Sequence, residues 1–298
     1  MRALVTGGAG FIGSNLVDRL IEEGHEVVVV DNLSSGNILN INSKARFFKQ
    51  DICEPLSEKI MEGVEVVFHV AAVARVQLSI MNPYVYHDVN VNGTVSLLEA
   101  CRAFGVKRIV YSSSSSVYGD TDTFPTPEGT PLNPMSPYAL NKLVCEQYLK
   151  LYSDLYGIES ISLRYFNVYG ERQLLNGPYA CAIGIFINQR MNEIPMTIRG
   201  DGKQRRDFTY VGDVVDANVK AATSKYTWKG STFNIGNGDN RSVNQIAKMI
   251  GGDVMYVDPV TEPKETLADN SKALFHLDWK PTIKVEDWIK KYKEELKI

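Results

Sequence analysis

The chain has 298 residues, 44% of them hydrophobic and 22% charged, and carries a formal net charge of -3. This is globular composition, enough for one large domain or two interleaved lobes, and the lack of a basic excess argues against nucleic acid or an acidic membrane as partner. Apolar runs such as 64–76 are too short to span a bilayer, and no leader with a basic start, an apolar core and a cleavage site opens the chain, so a cytoplasmic protein is expected. Cys53, Cys101, Cys145 and Cys181 form no CxxC pair, and His25, His69, His87 and His276 are equally scattered, so reduced thiols and no metal site are expected.

In chain order, Ala3–Thr6, Glu26–Asp31, Arg46–Lys49, Glu65–Val70, Arg108–Ser112 and Ser160–Arg164 predict strands. Each is a continuous apolar run, as expected for parallel strands buried on both faces. Helical patterns separate them at Ile12–Glu23, Pro83–Phe104 and Pro137–Tyr156. Alternating strand and helix predicts an α/β fold with a doubly wound parallel sheet and right-handed crossovers. The pattern loosens after Tyr165, with helices expected at Tyr179–Asn192, Gly212–Ser224, Val243–Gly251 and Val285–Lys297. These predict a smaller C-terminal lobe, interleaved with the sheet rather than hung on a linker.

The first strand runs into Thr6-Gly7-Gly8-Ala9-Gly10-Phe11-Ile12-Gly13, which opens the first helix. Gly7 permits the tight turn, Gly10 lets the backbone approach a pyrophosphate, and Gly13 lets helix and strand pack closely. The phosphates then meet the N–H groups at the helix start. Asp31 ends the second strand, 18 residues beyond Gly13. A carboxylate there accepts both hydroxyls of an adenosine ribose and repels a 2′-phosphate, so NAD is expected over NADP. The fold is therefore read as Rossmann-type. Residues 1–165 and about 208–238 are expected to form the NAD-binding domain. Residues 166–207 and 239–298 are expected to form the substrate lobe.

Tyr138 and Lys142 stand four apart on one face of a helix whose first turn holds Pro137. A phenol ordinarily ionises near about pH 10, and a neighbouring ammonium favours the phenolate, which suits Tyr138 to general-base work. Ser112 to Ser116 lie at the carboxyl end of the fifth strand, where a doubly wound fold presents ligand contacts. Five serines in a row are either a loop with no chemical task or, at a strand end beside a reactive tyrosine, groups that would hold a sugar hydroxyl and relay a proton.

With these residues together, the chain resembles the extended short-chain dehydrogenase/reductase family, and within it the UDP-sugar 4-epimerases. The resemblance runs through Asp51-Ile52, His69-Val70-Ala71-Ala72, Asn90-Val91-Asn92-Gly93-Thr94, Val117-Tyr118-Gly119, Arg164 to Gly170, Gly200-Asp201-Gly202, Arg206-Asp207-Phe208 and Leu267-Ala268-Asp269. It implies that Asp51 and Ile52 flank the adenine, and that Phe11, Ile12, Asn32, Ala71, Ala72 and Asn90 complete the NAD site. It implies Ser114 as the catalytic hydroxyl, Tyr138 as the base, and Lys142 as both a ribose contact and a tuner of Tyr138. Asn167 and Arg206 would bind the nucleotide diphosphate, with Cys181, Ala182 and Phe186 near the uridine. The helices at 83–104 and 137–156 would pair across a homodimer.

Dehydratases and decarboxylases of the family carry a Thr and a Glu in the stretch where this chain has Ser114, Ser115 and Ser116. No carboxylate is left for elimination, whereas epimerisation through a transient 4-keto sugar needs none. Thr266, three positions before Asp269, occupies the place where the family gates the C2 side of the sugar; a small residue leaves room for an acetamido group. Asn176 to Ala180 also resembles epimerases that accept acetylated sugars. UDP-GlcNAc/UDP-GalNAc interconversion is expected, together with UDP-Glc/UDP-Gal. One departure is the family's diphosphate arginine, absent from 258–265, for which Lys264 or Arg205 would substitute. The alternatives are a UDP-glucuronate 4-epimerase using Arg75 or Arg172, and a non-catalytic NAD-binding regulatory protein, which the presence of both Tyr138 and Lys142 disfavours.

Overall fold

Seven strands form the central parallel sheet of the structure, a computed structural model that describes residues 1–177, 180–260 and 262–298. Across the sheet the order is Lys229–Ile235, β6 (Glu159–Tyr165), β5 (Arg108–Ser114), β4 (Val66–His69), β1 (Arg2–Thr6), β2 (Glu26–Asp31) and β3 (Arg46–Lys49). β1 pairs in parallel with both β2 and β4, so the chain reverses its direction of winding there and leaves a crevice at the carboxyl ends of β1 and β4. The apolar runs behave as expected: Ala3, Leu4 and Val5 are fully buried, as are Val28, Val29 and Val30. The seventh strand was not anticipated. Lys229–Ile235 begins with polar residues and buries only its last three, and as an edge strand it lacks the two-sided apolar pattern of its neighbours.

Phe11–Glu22 and Pro137–Tyr156 are helices, the second capped by the Ser136 hydroxyl, which accepts the Ala139 N–H at 3.2 Å, and closed by Gly157 at φ +72°. The expected single helix over 83–104 is instead three pieces. Pro83–His87 and Gly93–Ala103 are α-helical, and Asp88–Asn92 between them is a π-turn. Val76–Met81 and Ser271–Leu277 are further helices that were not expected.

The chain divides into two compact units. The first holds residues 1–117, 134–164 and 215–233, and the second 118–133, 165–214 and 234–298. The first is built on the sheet, with Leu4, Val28, Val67, Ile109 and Tyr111 in its core beside Leu97, Leu98, Cys145 and Leu149 from the helices. In the second, the helices Ala182–Met191, Val243–Ile250 and Val285–Leu296 enclose Phe186, Ile187, Ile198, Ile246 and Trp288. Residues 118–133 had been expected in the first unit. They belong to the second, where the Tyr118 hydroxyl donates to Asn234 Oδ1 at 2.6 Å and the Thr126 N–H to the Leu267 carbonyl at 2.8 Å. The expected boundaries at 208–214 and 234–238 shift in the same way. The expected helix start at Tyr179, and Pro178 of the acetyl-sugar segment, lie outside the described residues. Among the described residues no helix is long and apolar enough to cross a membrane, and no cluster of His, Cys, Asp or Glu could hold a metal.

Candidate active site

The glycine turn is a cradle that side chains would fill. Gly7 sits at φ +73°, and a Cβ there would lie 2.7 Å from the Ala71 nitrogen. A Cβ on Gly13 would lie 2.1 Å from the Gly7 carbonyl oxygen, so helix and turn touch only because Gly13 has none. Gly10 is the extended N-cap of the Phe11–Glu22 helix and supplies no side-chain cap. The start of this helix, at Phe11, Ile12 and Gly13, therefore has no side-chain cap, an arrangement that suits an anion. At the end of β2 the Asp31 carboxylate accepts the Ala9 N–H at 3.0 Å and the Leu33 N–H at 2.7 Å, keeping lone pairs for ribose hydroxyls. Asn32 donates to Asp51 at 2.8 Å, and the Cys53 N–H does so at 2.9 Å. Burial would raise the Asp51 carboxyl, but these donors outweigh it and hold the group below the usual range. Ile52 is buried beneath Gly93, where a Cβ would meet it at 2.8 Å. Open turn, uncapped helix start and strand-end carboxylate together fit NAD.

Behind the turn runs a directional hydrogen-bond chain. The Ala71 N–H donates to Thr6 Oγ1 (3.3 Å), and the Thr6 hydroxyl pairs with His69 Nδ1 (2.8 Å). His69 Nε2 pairs with Thr94 Oγ1 (2.9 Å), whose hydroxyl donates to the Asn90 carbonyl (2.5 Å). Because each hydroxyl has only one proton to give, the order makes His69 a neutral ring protonated at Nε2. Burial, and then the Lys142 charge, push the His69 pKa down to about 3. Asn90 was expected among the NAD contacts. Its side chain instead brackets Val73, donating to the carbonyl (3.0 Å) and accepting the N–H (2.9 Å). It therefore shapes the loop that carries the half-buried Ala71 and Ala72.

Tyr138 and Lys142 share one helix face as expected. Lys142 is 3% exposed, donates from Nζ to the Ser112 carbonyl at 2.7 Å, and lies 5.9 Å from the centre of the Tyr138 ring. Burial pulls the ammonium down to about 8, against the pull of Cys145 and Glu146. Tyr138 is half-buried, with its ring edge-on to Tyr86 at 6.5 Å. Ser114 ends β5, and its hydroxyl oxygen accepts the Ser116 N–H at 3.2 Å. Ser115 is half-buried, and the buried Ser116 hydroxyl has no partner among the described residues.

The second unit holds the expected nucleotide and sugar contacts. Asn167, at φ +23°, donates from Nδ2 to the Asp207 carbonyl (3.1 Å) and to Thr266 Oγ1 (3.3 Å). Thr266 Oγ1 also accepts the Asp207 N–H at 3.2 Å, so the expected gate residue is at the same time a fastening of this wall. Burial pushes the Asp207 carboxyl up to about 7, opposed by N–H groups of Ala268, Asn237 and Gly238. Arg206 is paired with Glu262 at 2.7 Å, so part of its fork is already engaged. Of the two expected substitutes for the diphosphate arginine, Arg205 donates to Asn240 Oδ1 (2.6 Å) and to its carbonyl (3.0 Å), and Lys264 is exposed. Cys181 is exposed and Ala182 half-buried at the start of their helix. Phe186 is 2% exposed in the apolar core, so its side chain packs instead of facing a ligand.

A family model described as NAD dependent epimerase/dehydratase family matches residues 3–236. The chain belongs to the NAD-dependent epimerase/dehydratase family. It is 45% identical over 297 residues to a putative UDP-glucose 4-epimerase of Methanocaldococcus jannaschii, covering 97% of this chain and 96% of that one. It also matches the solved UDP-N-acetylglucosamine 4-epimerase of Methanobrevibacter ruminantium, in complex with UDP-N-acetylmuramic acid. The TM-score there is 0.92 and the identity 38%, covering 99% of this chain and 97% of the other. The UDP-glucuronic acid 4-epimerase of Bacillus cereus, in complex with UDP-glucuronic acid and NAD, matches with a TM-score of 0.90 and 34% identity, covering 100% of this chain and 99% of the other. NAD is the cofactor of the family. The three relatives are named for different sugars, so the family alone leaves the sugar open.

Proposed function

We propose that this chain is a UDP-sugar 4-epimerase acting on UDP-GlcNAc/UDP-GalNAc and on UDP-Glc/UDP-Gal. The observation that carries the reading is the buried Lys142 beside Tyr138 at the end of a strand that finishes in serines alone. The cofactor supplies one thing when bound: a reversible acceptor for the hydrogen on the sugar's C4. Everything else falls to the protein. Tyr138 takes the proton of the 4-hydroxyl, directly or through Ser114, and later returns it. Lys142 holds positive charge beside the phenolate and reaches the cofactor ribose. Ser115 and Ser116 offer hydroxyls and no carboxylate, so the oxidised sugar has no acid–base pair with which to lose water. Asn167 and Arg206 hold the diphosphate, Arg206 trading its Glu262 contact for the phosphate oxygens. Thr266, being small, admits an acetamido group.

A second reading, epimerisation of UDP-glucuronate, is favoured by Arg75. This half-buried, non-glycine residue is held at φ +150°, a strained conformation of the kind that collects at ligand sites. One assay separates them. Purified protein, with no NAD added, is incubated with UDP-glucose, UDP-N-acetylglucosamine or UDP-glucuronate, and the products are resolved by chromatography. The acetylated and plain hexose epimers are expected; turnover of UDP-glucuronate alone would transfer the assignment to the second reading. Tyr138→Phe is expected to lower kcat by about 10²–10⁴-fold while bound NAD is retained. Near-normal turnover by that variant would reject the mechanism.

A further inference from the structure

Glu146 stands one helical turn beyond Lys142, on the same face of the Pro137–Tyr156 helix, and its side chain is 6% exposed. Arg164, next to last in β6, meets it at 3% exposure. The pair is bidentate: Arg164 Nε donates to Oε1 at 2.9 Å and Nη2 to Oε2 at 2.6 Å. Oε1 accepts a further hydrogen bond from the Ser113 hydroxyl at 2.5 Å. One turn earlier, Lys142 donates to the carbonyl of Ser112. The same helix face thus grips two consecutive residues of β5, and the next residue is Ser114. A buried ion pair returns little net stability, because desolvation cancels most of the attraction. What the forked geometry supplies is orientation: a guanidinium lying flat against a carboxylate fixes where both can point.

We propose that Glu146 and Arg164 are positioning residues that lock the register between the helix bearing Tyr138 and Lys142 and the strand ending in Ser114. The inference rests on the reading of those three residues as the reacting site. Arg164 is the counter-ion that lets a carboxylate stand in the protein interior, and Ser113 is the link from that carboxylate to the strand. Without the lock, Lys142 loses its fixed distance to the strand end and to the cofactor ribose.

Two variants test this. Ser113→Ala removes only the link. The double variant Glu146→Leu with Arg164→Met exchanges the ion pair for apolar side chains, a replacement that commonly leaves stability unchanged or raised. The NAD dissociation constant is measured by titration on each purified protein, with its melting temperature and, on a UDP-sugar, kcat and KM. Both variants are expected to melt near the wild-type temperature, to bind NAD about ten-fold more weakly, and to lose about 10²-fold in kcat with KM little changed. Wild-type NAD affinity in a folded variant overturns the proposal, and so does a loss of melting temperature with NAD affinity intact. Should the double variant fail to fold, Ser113→Ala decides alone. Should the wild type turn over no UDP-sugar, the functional reading fails, while NAD affinity still judges the lock.

Discussion

Both oxygens of the Asp31 carboxylate accept backbone N–H groups, one from the glycine turn at Ala9 and one from Leu33, so the group expected to face the ribose also fastens the loop around it. Asp31→Ser should therefore weaken NAD binding by about 1.5–3 kcal/mol, the worth of a hydrogen bond to a charged group. NADP, whose extra phosphate the carboxylate repels, should lose less. Titration calorimetry with both dinucleotides checks this, and equal losses would count against the ribose role. Such residues were legible in the sequence because their chemistry is set by short spacings: a turn of eight residues, or a step of four along a helix. The partners of His69 and Thr266 were not. Thr6 and His69 are 63 positions apart, and Asn167 and Thr266 are 99, so only the folded chain brings them together. Glu146 had a weaker signal: a carboxylate one turn past the catalytic lysine, among Leu143, Val144, Cys145 and Leu149, is a charge on an apolar face.

At the scale of elements, the six strands first expected lie within a residue or two of their predicted bounds; for the inner strands two-sided burial writes itself as an unbroken apolar run, while β3, with no buried residue, lies at the sheet's edge. The helix over 83–103 shows what periodicity misses. Its π-turn at Asp88–Asn92 inserts extra backbone, which lets Asn90 reach Val73 while Thr94 reaches His69. Asp-Val-Asn-Val-Asn is a run of poor helix formers, a local signal that an apolar-periodicity reading passes over. The contact between the first helix and the glycine turn is equally exacting. Gly13→Val puts side-chain atoms where the Gly7 carbonyl already stands, and should destabilise the fold by about 1–3 kcal/mol or more. It should also cost the protein its bound NAD. Thermal melting and the absorbance of the released dinucleotide read the two effects separately.

For the whole molecule, acid stability follows from the buried imidazole. The His69 pKa falls from 6.5 to about 3 on folding, so below pH 6.5 the unfolded chain takes up a proton that the folded one refuses. Its contribution is whole above pH 6.5 and is lost progressively as pH falls toward 3. Asp207, raised to about 7, works with the opposite sign, so the difference between wild type and His69→Gln isolates the histidine. That difference, from urea unfolding between pH 7.5 and 4, should shrink by a few kcal/mol as the solution is acidified. Quaternary structure is a second expectation at this scale. Leu140, Leu151 and Leu155 on one helix, and Tyr84 and Val85 on another, are exposed apolar side chains. The homodimer that the family resemblance implies would cover them. Sedimentation is expected to give twice the chain mass for wild type and the single chain mass for Leu151→Glu; a monomeric wild type would remove the dimer.

The interleaving of the two units bears on how the protein is made. The sheet's outer strand, Lys229–Ile235, arrives late in a chain of 298 residues, and the first unit takes its last stretch from 215–233. A nascent polypeptide halted on the ribosome at residue 200 carries the whole dinucleotide fingerprint, yet lacks the segment that seals the flank of β6. Nascent chains of graded length are therefore expected to retain NAD only once that segment has left the exit tunnel.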